Sequence, residues 1–395
     1  MAKARRPLIS PGADLTPAEL TRYARQLSLI QIGVEGQRRL KAARVLVLGA
    51  GGLGSPVLTS LAAAGVGTIG IVDSDTVEDS NLQRQTIFRT ADVGLPKAAA
   101  AAAALIAQNP LITITAHQTR VTAENVLALV ADYDVIIDGT DNFETRYLAH
   151  DAAALLGKPY IWGSVLRFDG QATVFWAKPP ASSGIETGVS LRDLFPEEPT
   201  AAEGESCAIA GVLGSVCQSI GATMATEAVK LIVGFGEILL GRLLIHDGVD
   251  ASWREIRFGP KEAARYTPAQ VTGDEVPTVP RIPDSPSVTP SEVKELLAER
   301  ASGEAHFVLV DIREPWEHDV AAIEGAVLLP MSHLMAESSL EVIPYDAQVI
   351  LHCHHDSRSA SAQQYLAQHG WSDIRFMTGG IDAWSRTIDG DVPRY

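Results

Sequence analysis

Arg44-Val45-Leu46-Val47-Leu48-Gly49-Ala50-Gly51-Gly52-Leu53-Gly54 is the stretch that decides the fold. Arg44 to Leu48 is an apolar run that fits a buried strand, and the glycines behind it spell GxGxxG ahead of a predicted helix, the context this motif requires. Glycines there let the backbone approach phosphates at a helix N-terminus, where free N–H groups and the helix dipole favour anions. Asp73 ends the next apolar run, Thr68 to Val72, about 20 residues on, where an acid accepts hydrogen bonds from a ribose. Gly49, Gly51, Gly52, Gly54 and Asp73 therefore point to a nucleotide without saying which one. NAD-dependent oxidoreduction and ATP chemistry are both open at this point.

Outward from this loop, apolar runs at Ile112 to Ala116 and Asp134 to Ile137 alternate with helical stretches, so parallel βαβ units are predicted. Thr16-Pro17-Ala18-Glu19 has the form of a capping box with proline at the first helical position, which predicts a helix start. Lys97 opens an alanine tract, Ala98 to Ala104, that reads as helix because alanine is the best helix former. The expected class is α/β, a Rossmann-like doubly wound sheet. After Phe258 the composition changes: Pro260, Pro268, Pro277, Pro280, Pro283, Pro286 and Pro290 occur with few large apolar residues, as in an extended linker. The last stretch is long enough for one small α/β domain, with a helix near Ser291 to Arg300, strands at Phe307 to Val310 and Gln348 to Leu351, and a helix at Ser359 to Gln368. The expected division is 1–258, a linker 259–290, and 291–395.

Composition bounds the function. Of 395 residues 46% are hydrophobic and 20% charged, as in globular chains, and 32 Lys and Arg against 48 Asp and Glu give −16, which argues against nucleic acid as a partner. Three cysteines, Cys207, Cys217 and Cys353, make no disulfide framework and fit a cytoplasmic thiol chemistry. No signal-peptide core follows Met1 to Ser10, and Glu227, Lys230 and glycines interrupt Val212 to Leu240, so no membrane span is expected.

The segment after Asp73 separates the nucleotide chemistries. A nicotinamide needs a flat apolar bed, whereas displacing pyrophosphate needs cations and polar donors. Ser80-Asn81-Leu82-Gln83-Arg84-Gln85, Lys97 and Arg25 suit the second. Asp138-Gly139-Thr140-Asp141-Asn142 follows a strand, on the edge where ligands bind in open α/β sheets, and a carboxylate there can hold Mg²⁺ against phosphate oxygens. Asp141 also reads as the N-cap of a helix starting at Phe143.

Arg22-Tyr23-Ala24-Arg25-Gln26, the glycine loop, Asp73-Ser74-Asp75, Ser80 to Gln85, Lys97 and Thr140-Asp141-Asn142 together resemble the MoeB/ThiF superfamily, bacterial relatives of ubiquitin-activating enzymes, over roughly Thr16 to Phe258. The resemblance implies that ATP and the C-terminal Gly-Gly end of a small β-grasp sulfur-carrier protein yield an acyl-adenylate and pyrophosphate. By position, Gly52 and Asp73 would contact the adenosine and Asn81, Arg84 and Lys97 the phosphates. Asp141, beside Asn142, would hold Mg²⁺, and Arg25 would reach in from the other subunit of a homodimer. Cys207, in a loop leading to a helix, is placed as a thiolate nucleophile and matches the cysteine that the resemblance assigns to a thioester or disulfide intermediate. Cys217 reads as packing. Gly184 to Gly204 is expected to be mobile and to cover the carrier's tail. Many relatives hold zinc with two CxxC pairs; Ser190 and Asp193 stand at the first pair, and too few cysteines remain for such a site, so no zinc is expected.

Cys353 sits in Leu351-His352-Cys353-His354-His355-Asp356-Ser357-Arg358-Ser359, between a predicted strand and a predicted helix. Such a loop directs N–H groups at the sulfur, and Arg358 adds positive charge. Cysteine-dependent phosphatases place five residues between Cys and Arg; here there are four. The tighter loop, with Val310 to Glu317 and Gly379 to Trp384, resembles rhodanese sulfurtransferases, which carry sulfur as a persulfide. Asp356 stands where many rhodanese loops have glycine. His352, His354 and His355 lack the spaced partners of a metal site. The two resemblances imply adenylation of a carrier, then sulfur transfer from Cys353 to a C-terminal thiocarboxylate for molybdopterin, thiamine or another sulfur-containing product, with thiosulfate or a cysteine desulfurase as donor. An NAD-dependent oxidoreductase and a non-catalytic carrier-binding scaffold are the alternatives.

Overall fold

The computed structural model describes residues 6–196, 211–261, 286–334, 343 and 347–394, with only the backbone of Ser332 and Ser357. The described chain forms two compact units, one up to residue 261 and one from residue 286.

In the first unit β1 (Arg44–Leu48), β2 (Thr68–Val72), β3 (Thr113–His117), β4 (Val135–Asp138) and β5 (Tyr160–Leu166) are parallel, in the order β3-β2-β1-β4-β5. β1 and β4 are buried along almost their whole length, as strands covered by helices on both faces must be, and this is why they read as continuous apolar runs. β3 and β4 each start one residue later than expected. The alternation pattern did not foretell the far edge of the sheet, where β6 (Asp169–Phe175), β7 (Arg242–Asp247) and β8 (Ser252–Arg257) extend it antiparallel from β5. Leu166 pairs with Asp169, so Arg167 and Phe168 make a two-residue hairpin, with Arg167 at φ 55°. The order in which strands are added reverses at β1, with β2 and β3 lying to one side and β4 and β5 to the other. The crevice at the carboxyl end of β1, between β1 and β4, is the switch point where ligands bind.

The capping box starts the helix Pro17–Arg22, Glu19 N–H donating to Thr16 Oγ1 at 3.3 Å and Thr16 N–H to Glu19 Oε2 at 2.7 Å. The alanine tract is the helix Lys97–Gln108, buried through Ala98, Ala101 and Leu105. Two expectations need correction. The helix Gly214–Val233, inside the stretch expected to hold no run of bilayer length, has 20 residues and is long and apolar enough to cross a membrane. Its apolarity is that of a core helix, because Val216, Ile220, Met224, Leu231 and Ile232 are buried where it packs on the helix Gly54–Ala64 and on β5 and β6. Part of the stretch expected to be mobile is packed. Trp176 and Val189 exchange backbone bonds of 2.8 and 3.2 Å, and Ser190 caps the buried turn Leu191–Leu194. Residues 197–204 of that stretch lie outside the described residues.

In the second unit β9 (Ser287–Val288), β10 (Phe307–Asp311), β11 (Val327–Leu328), β12 (Gln348–His352) and β13 (Ile374–Met377) form a parallel sheet in the order β11-β10-β12-β13-β9. β12, at the centre, delivers Cys353 at its carboxyl end. The expected linker ends before Pro290. Val288 is buried and pairs with Met377, and Thr289 caps a helix, Pro290–Ser302, with proline at its first position. Residues 262–285 lie outside the described residues.

Candidate active sites

Backbone bonds draw the glycine loop into the crevice of the first unit. Gly49 N–H donates to Val72 O at 2.8 Å and Gly139 N–H to Leu48 O at 2.9 Å, so β1 and its neighbours stay in register one residue past their ends. Gly49 takes φ 83°, and a Cβ on Gly54 would stand 1.9 Å from Gly49 O, so only glycine lets the loop double back here. A Cβ on Gly51 would have its nearest neighbour at 3.9 Å, which leaves that backbone open to a ligand. Gly52 faces Arg84 and Cys217: a Cβ there would lie 3.5 Å from Arg84 Cγ and 3.1 Å from Cys217 Sγ. Cys217 is buried beneath the loop, the packing role expected of it.

Asp73 ties the loop to β2. Its Oδ2 accepts the Ala50 N–H at 2.8 Å and its Oδ1 the Asp75 N–H at 2.9 Å. Burial raises its pKa above the ordinary carboxylate value, and those N–H groups and Lys97 oppose the rise. Lys97, buried at the start of its helix, points Nζ at Asp75 Oδ2, 3.1 Å away. Asn81 is buried, its Oδ1 accepting Glu78 N–H at 3.3 Å, and Arg84 Nη1 donates to Ser80 O at 3.1 Å. Arg84 thus lies against the loop at Gly52, and Lys97 is linked to it through Asp75 and Asp73.

The Asp141 segment is held by a pair that the sequence did not single out. Asp138, fully buried, accepts Thr140 N–H at 2.9 Å and Thr140 Oγ1–H at 2.6 Å. Arg146 Nε donates to Asp138 Oδ2 at 3.3 Å and Nη2 to Thr140 O at 3.0 Å, and its guanidinium lies 5.1 Å over the Phe143 ring and 5.3 Å over Trp162. Asn142, not Asp141, is the N-cap, its Oδ1 accepting Thr145 N–H at 2.8 Å. Asn142 has the β-region backbone a cap requires, so Asp141 stands one residue outside the helix, exposed. An exposed carboxylate at this edge suits Mg²⁺, which keeps most of its ligands as water and phosphate oxygens. Among the described residues no three His, Cys, Asp or Glu side chains gather as a metal site.

Two expected residues are not brought to this crevice. Arg25 is exposed on the short helix Ala24–Leu27, whose Gln26 donates to Ala64 O at 3.0 Å, at the far end of the helix Gly54–Ala64. Eleven residues of helix separate that end from the glycine loop, about 16 Å at 1.5 Å per residue. Cys207 lies outside the described residues. Ser190 and Asp193, where relatives carry the first cysteine pair, bond each other: Ser190 Oγ–H donates to Asp193 Oδ2 at 2.8 Å, and Asp193 Oδ1 accepts Lys261 N–H at 2.8 Å.

In the second unit Cys353 is buried, Sγ 3.2 Å from Ser359 Oγ, at the mouth of the helix Ser357–Gln368. The loop carbonyls turn the other way: Ile381 N–H donates to Cys353 O at 2.9 Å and Asp382 N–H to His354 O at 3.1 Å. Gly380, at φ 55°, makes room, since a Cβ there would lie 2.4 to 2.5 Å from the carbonyl oxygens of Cys353, His354 and His355. Asp356 takes φ −127°, a negative value that does not call for glycine. Its Oδ1 accepts Gly379 N–H at 2.5 Å. Arg358, expected to add positive charge to the loop, is paired with a carboxylate. Glu317, at the end of the Val310 to Glu317 motif but given no role of its own there, accepts Nη1 at 2.5 Å and Nη2 at 2.7 Å. Beneath the loop Arg313 Nε donates to Asp311 Oδ1 at 2.8 Å. Burial opposes the Asp311 charge, but nearby His352 when protonated and Arg313 outweigh it and bring that carboxyl down to about 2. His352 is buried, its Nδ1 3.9 Å from Asp311 Oδ1 and neither ring nitrogen within hydrogen-bond reach of a partner, and burial brings its pKa down to about 4.

Comparison with known proteins agrees with this division. Residues 23–267 match the ThiF family and residues 289–387 the Rhodanese-like domain. The chain is 45% identical to the probable adenylyltransferase/sulfurtransferase MoeZ of Mycobacterium tuberculosis over 394 residues, 98% of each chain. It is 50% identical to the sulfur carrier protein adenylyltransferase of Thermus thermophilus over 241 residues, 61% of this chain and 88% of that one. Among solved structures, E. coli MccB with ATP superposes with a TM-score of 0.52 at 22% identity over 61% of this chain and 72% of that one, a likeness of fold. The chain therefore belongs to the ThiF family, carries a Rhodanese-like domain behind it, and is an enzyme of the adenylyltransferase and sulfurtransferase class.

Proposed function

We propose that this enzyme adenylates the C-terminal glycine of a small β-grasp sulfur carrier with Mg-ATP and then delivers sulfane sulfur from Cys353 to form the carrier's thiocarboxylate. The observation that carries the adenylation half is the convergence of an open glycine backbone, Asp73, Arg84, Lys97 and Asp141 on the switch point between β1 and β4. A carboxylate is a poor electrophile, and joining it to AMP supplies a leaving group. The enzyme's task is to hold the carboxylate near the α-phosphorus and to neutralise the departing pyrophosphate. Asp73 fixes the loop and accepts from ribose, Arg84 and Lys97 meet phosphate oxygens, and Asp141 would hold Mg²⁺, which supplies further charge neutralisation.

Arg25 serves the partner site of a homodimer in this proposal. Its position a helix length from its own glycine loop supports that assignment. In the second step the Cys353 persulfide attacks the acyl carbon and AMP leaves, giving an acyl disulfide. A thiolate then cleaves the S–S bond to release the thiocarboxylate, and Cys207 is the residue that the family resemblance nominates. The proline-rich stretch between the units keeps Cys353 at raised effective concentration.

The test is mass spectrometry of Gly-Gly carriers incubated with the enzyme, Mg-ATP and a sulfane-sulfur donor. One carboxylate oxygen is expected to be exchanged for sulfur. Cys353→Ala should still form acyl-adenylate but no thiocarboxylate; thiocarboxylate from that variant would refute the sulfur-transfer half. Normal carrier-dependent ATP–pyrophosphate exchange in Arg84→Ala would refute the adenylation half.

A further inference from the structure

We propose that Glu317 sets the donor preference of the Cys353 loop by cancelling the charge of Arg358, so that Cys353 takes sulfur from a persulfide in preference to the thiosulfate dianion. This rests on the sulfurtransferase reading above.

Arg358 is the only basic side chain the loop itself supplies apart from its histidines, and Glu317 engages it through both guanidinium nitrogens, at 2.5 and 2.7 Å, with the pair largely withdrawn from solvent. A bidentate pair of this kind is among the stronger charge-assisted contacts, and an incoming anion must compete with it. The neighbouring guanidiniums are also committed. Arg313 gives Nε to Asp311 and its other nitrogens to Asp311 and to the carbonyls of Glu317 (3.1 Å) and Ala321 (2.7 Å). Arg386 and Arg394 both pair with Asp382. His354 adds no charge at neutral pH, because burial and then its neighbour His355 bring it down to about 4. The loop meanwhile contributes a carboxylate of its own, Asp356, fixed in place by Gly379 N–H. Among the described residues, what remains to receive an anion is chiefly the backbone N–H set at the mouth of the helix Ser357–Gln368, equivalent to about half a positive charge.

The two donor chemistries load this loop differently. With thiosulfate, the Cys353 thiolate attacks the outer sulfur, the S–S bond breaks, and sulfite leaves with the electron pair, so three negative charges gather in the transition state. With a hydropersulfide, R–S–SH, the same attack breaks the S–S bond, R–S⁻ leaves with the pair, the proton stays on the transferred sulfur, and one negative charge is involved. A loop whose cation is already neutralised accommodates the second far better than the first.

The experiment measures persulfide formation on Cys353 of the full chain by peptide mass spectrometry, with thiosulfate, with cysteine persulfide, and with a protein-bound cysteine persulfide. In the native enzyme kcat/KM should be lowest for thiosulfate. Success with cysteine persulfide would identify a small-thiol source, and success with the protein-bound form alone a protein source. Glu317→Gln keeps the shape and removes the charge; it should raise kcat/KM for thiosulfate about 10-fold or more while leaving the persulfide value within about threefold. Glu317→Asp should retain the native preference. A merely structural Glu317 would lower all donors together in Glu317→Gln, and that result overturns the proposal, as does a native enzyme that uses thiosulfate as well as persulfide. Should Glu317→Gln not fold, Asp356→Asn, at an exposed position, should shift the same ratio several-fold toward thiosulfate, and an unchanged ratio overturns the proposal. A native Cys353 that takes sulfur from none of the donors refutes instead the sulfurtransferase reading beneath it.

Discussion

Replacing Arg146 by Met should uncouple the Asp141 segment from the sheet. Asp138 has no exposed surface and Arg146 very little, so Arg146→Met strands a buried carboxylate left with only neutral partners, the Thr140 N–H and hydroxyl and the Tyr160 hydroxyl. Losing one member of a buried ion pair costs about 3–5 kcal/mol, mostly the penalty of the orphaned charge. The stacking over Phe143 and Trp162 accounts for about 1 kcal/mol more. Asp138→Asn removes that charge, so the double variant Asp138→Asn/Arg146→Met should recover about 1–3 kcal/mol relative to the sum of the single losses. Denaturant unfolding of the first unit measures both quantities, and ATP–pyrophosphate exchange without denaturant reads the segment's role in the reaction. The reasoning fails if Arg146→Met unfolds within about 1 kcal/mol of the native chain and exchanges normally, or if the two substitutions are simply additive.

Gly380→Ala should cost about 3 kcal/mol in the second unit, from a left-handed alanine and from loss of the Ile381 and Asp382 bonds to the loop carbonyls, and should prevent persulfide loading of Cys353 while adenylation continues. Native loading in that variant would show that the loop does not rest on Gly380. The second unit should also lose stability as pH falls from about 6.5 toward 4. His352 titrates near 6.5 in the unfolded chain and at about 4 in the folded one, so over that window the unfolded state binds the extra proton, by roughly 3 kcal/mol at the lower end. His352→Phe should flatten the unfolding-midpoint curve across that range, and an unchanged slope would remove His352 as its cause.

The parts legible in the sequence are those set by local physics. β1, β2 and β4 are continuous apolar runs because both faces are covered, Thr16 to Glu19 carries its own cap, and Gly49 to Gly54 announces a turn that side chains would block. What escaped depends on distant partners or on backbone angles. Glu317 lies 41 residues from Arg358, and only the β10–β12 pairing brings their loops together. Asp138 stood in view as part of the Asp141 segment, but its partner Arg146 lies on the following helix, and arginines at such positions usually face solvent. Asn142 took the cap expected of Asp141 because two adjacent residues were equally suited and the turn geometry chose between them. Asp356 stands where many rhodanese loops have glycine, and only its backbone angle, φ −127°, shows that this loop does not need a glycine's positive φ there.

The two loops share one device and use it to opposite electrostatic ends. Each follows a parallel strand inside its sheet and opens onto a helix, Gly54–Ala64 or Ser357–Gln368, so each offers the anion-favouring end of a helix at a carboxyl edge. At the glycine loop the carboxylates serve the backbone: Asp73 holds Ala50 and Asp75, and Arg84 bonds a neighbouring carbonyl in place of a carboxylate. The ion pair beside it, Lys97 with Asp75, has an exposed carboxylate that solvent screens. Cations are thereby kept for a ligand bearing several charges. At the sulfur loop Glu317 consumes the guanidinium outright in a withdrawn, bidentate pair, which leaves the helix end to stabilise a single sulfur anion. In the proposed function the first loop holds a triphosphate and the second a persulfide, which differ in charge in the same sense, so on that reading the state of the arginine beside each loop follows the charge of its ligand.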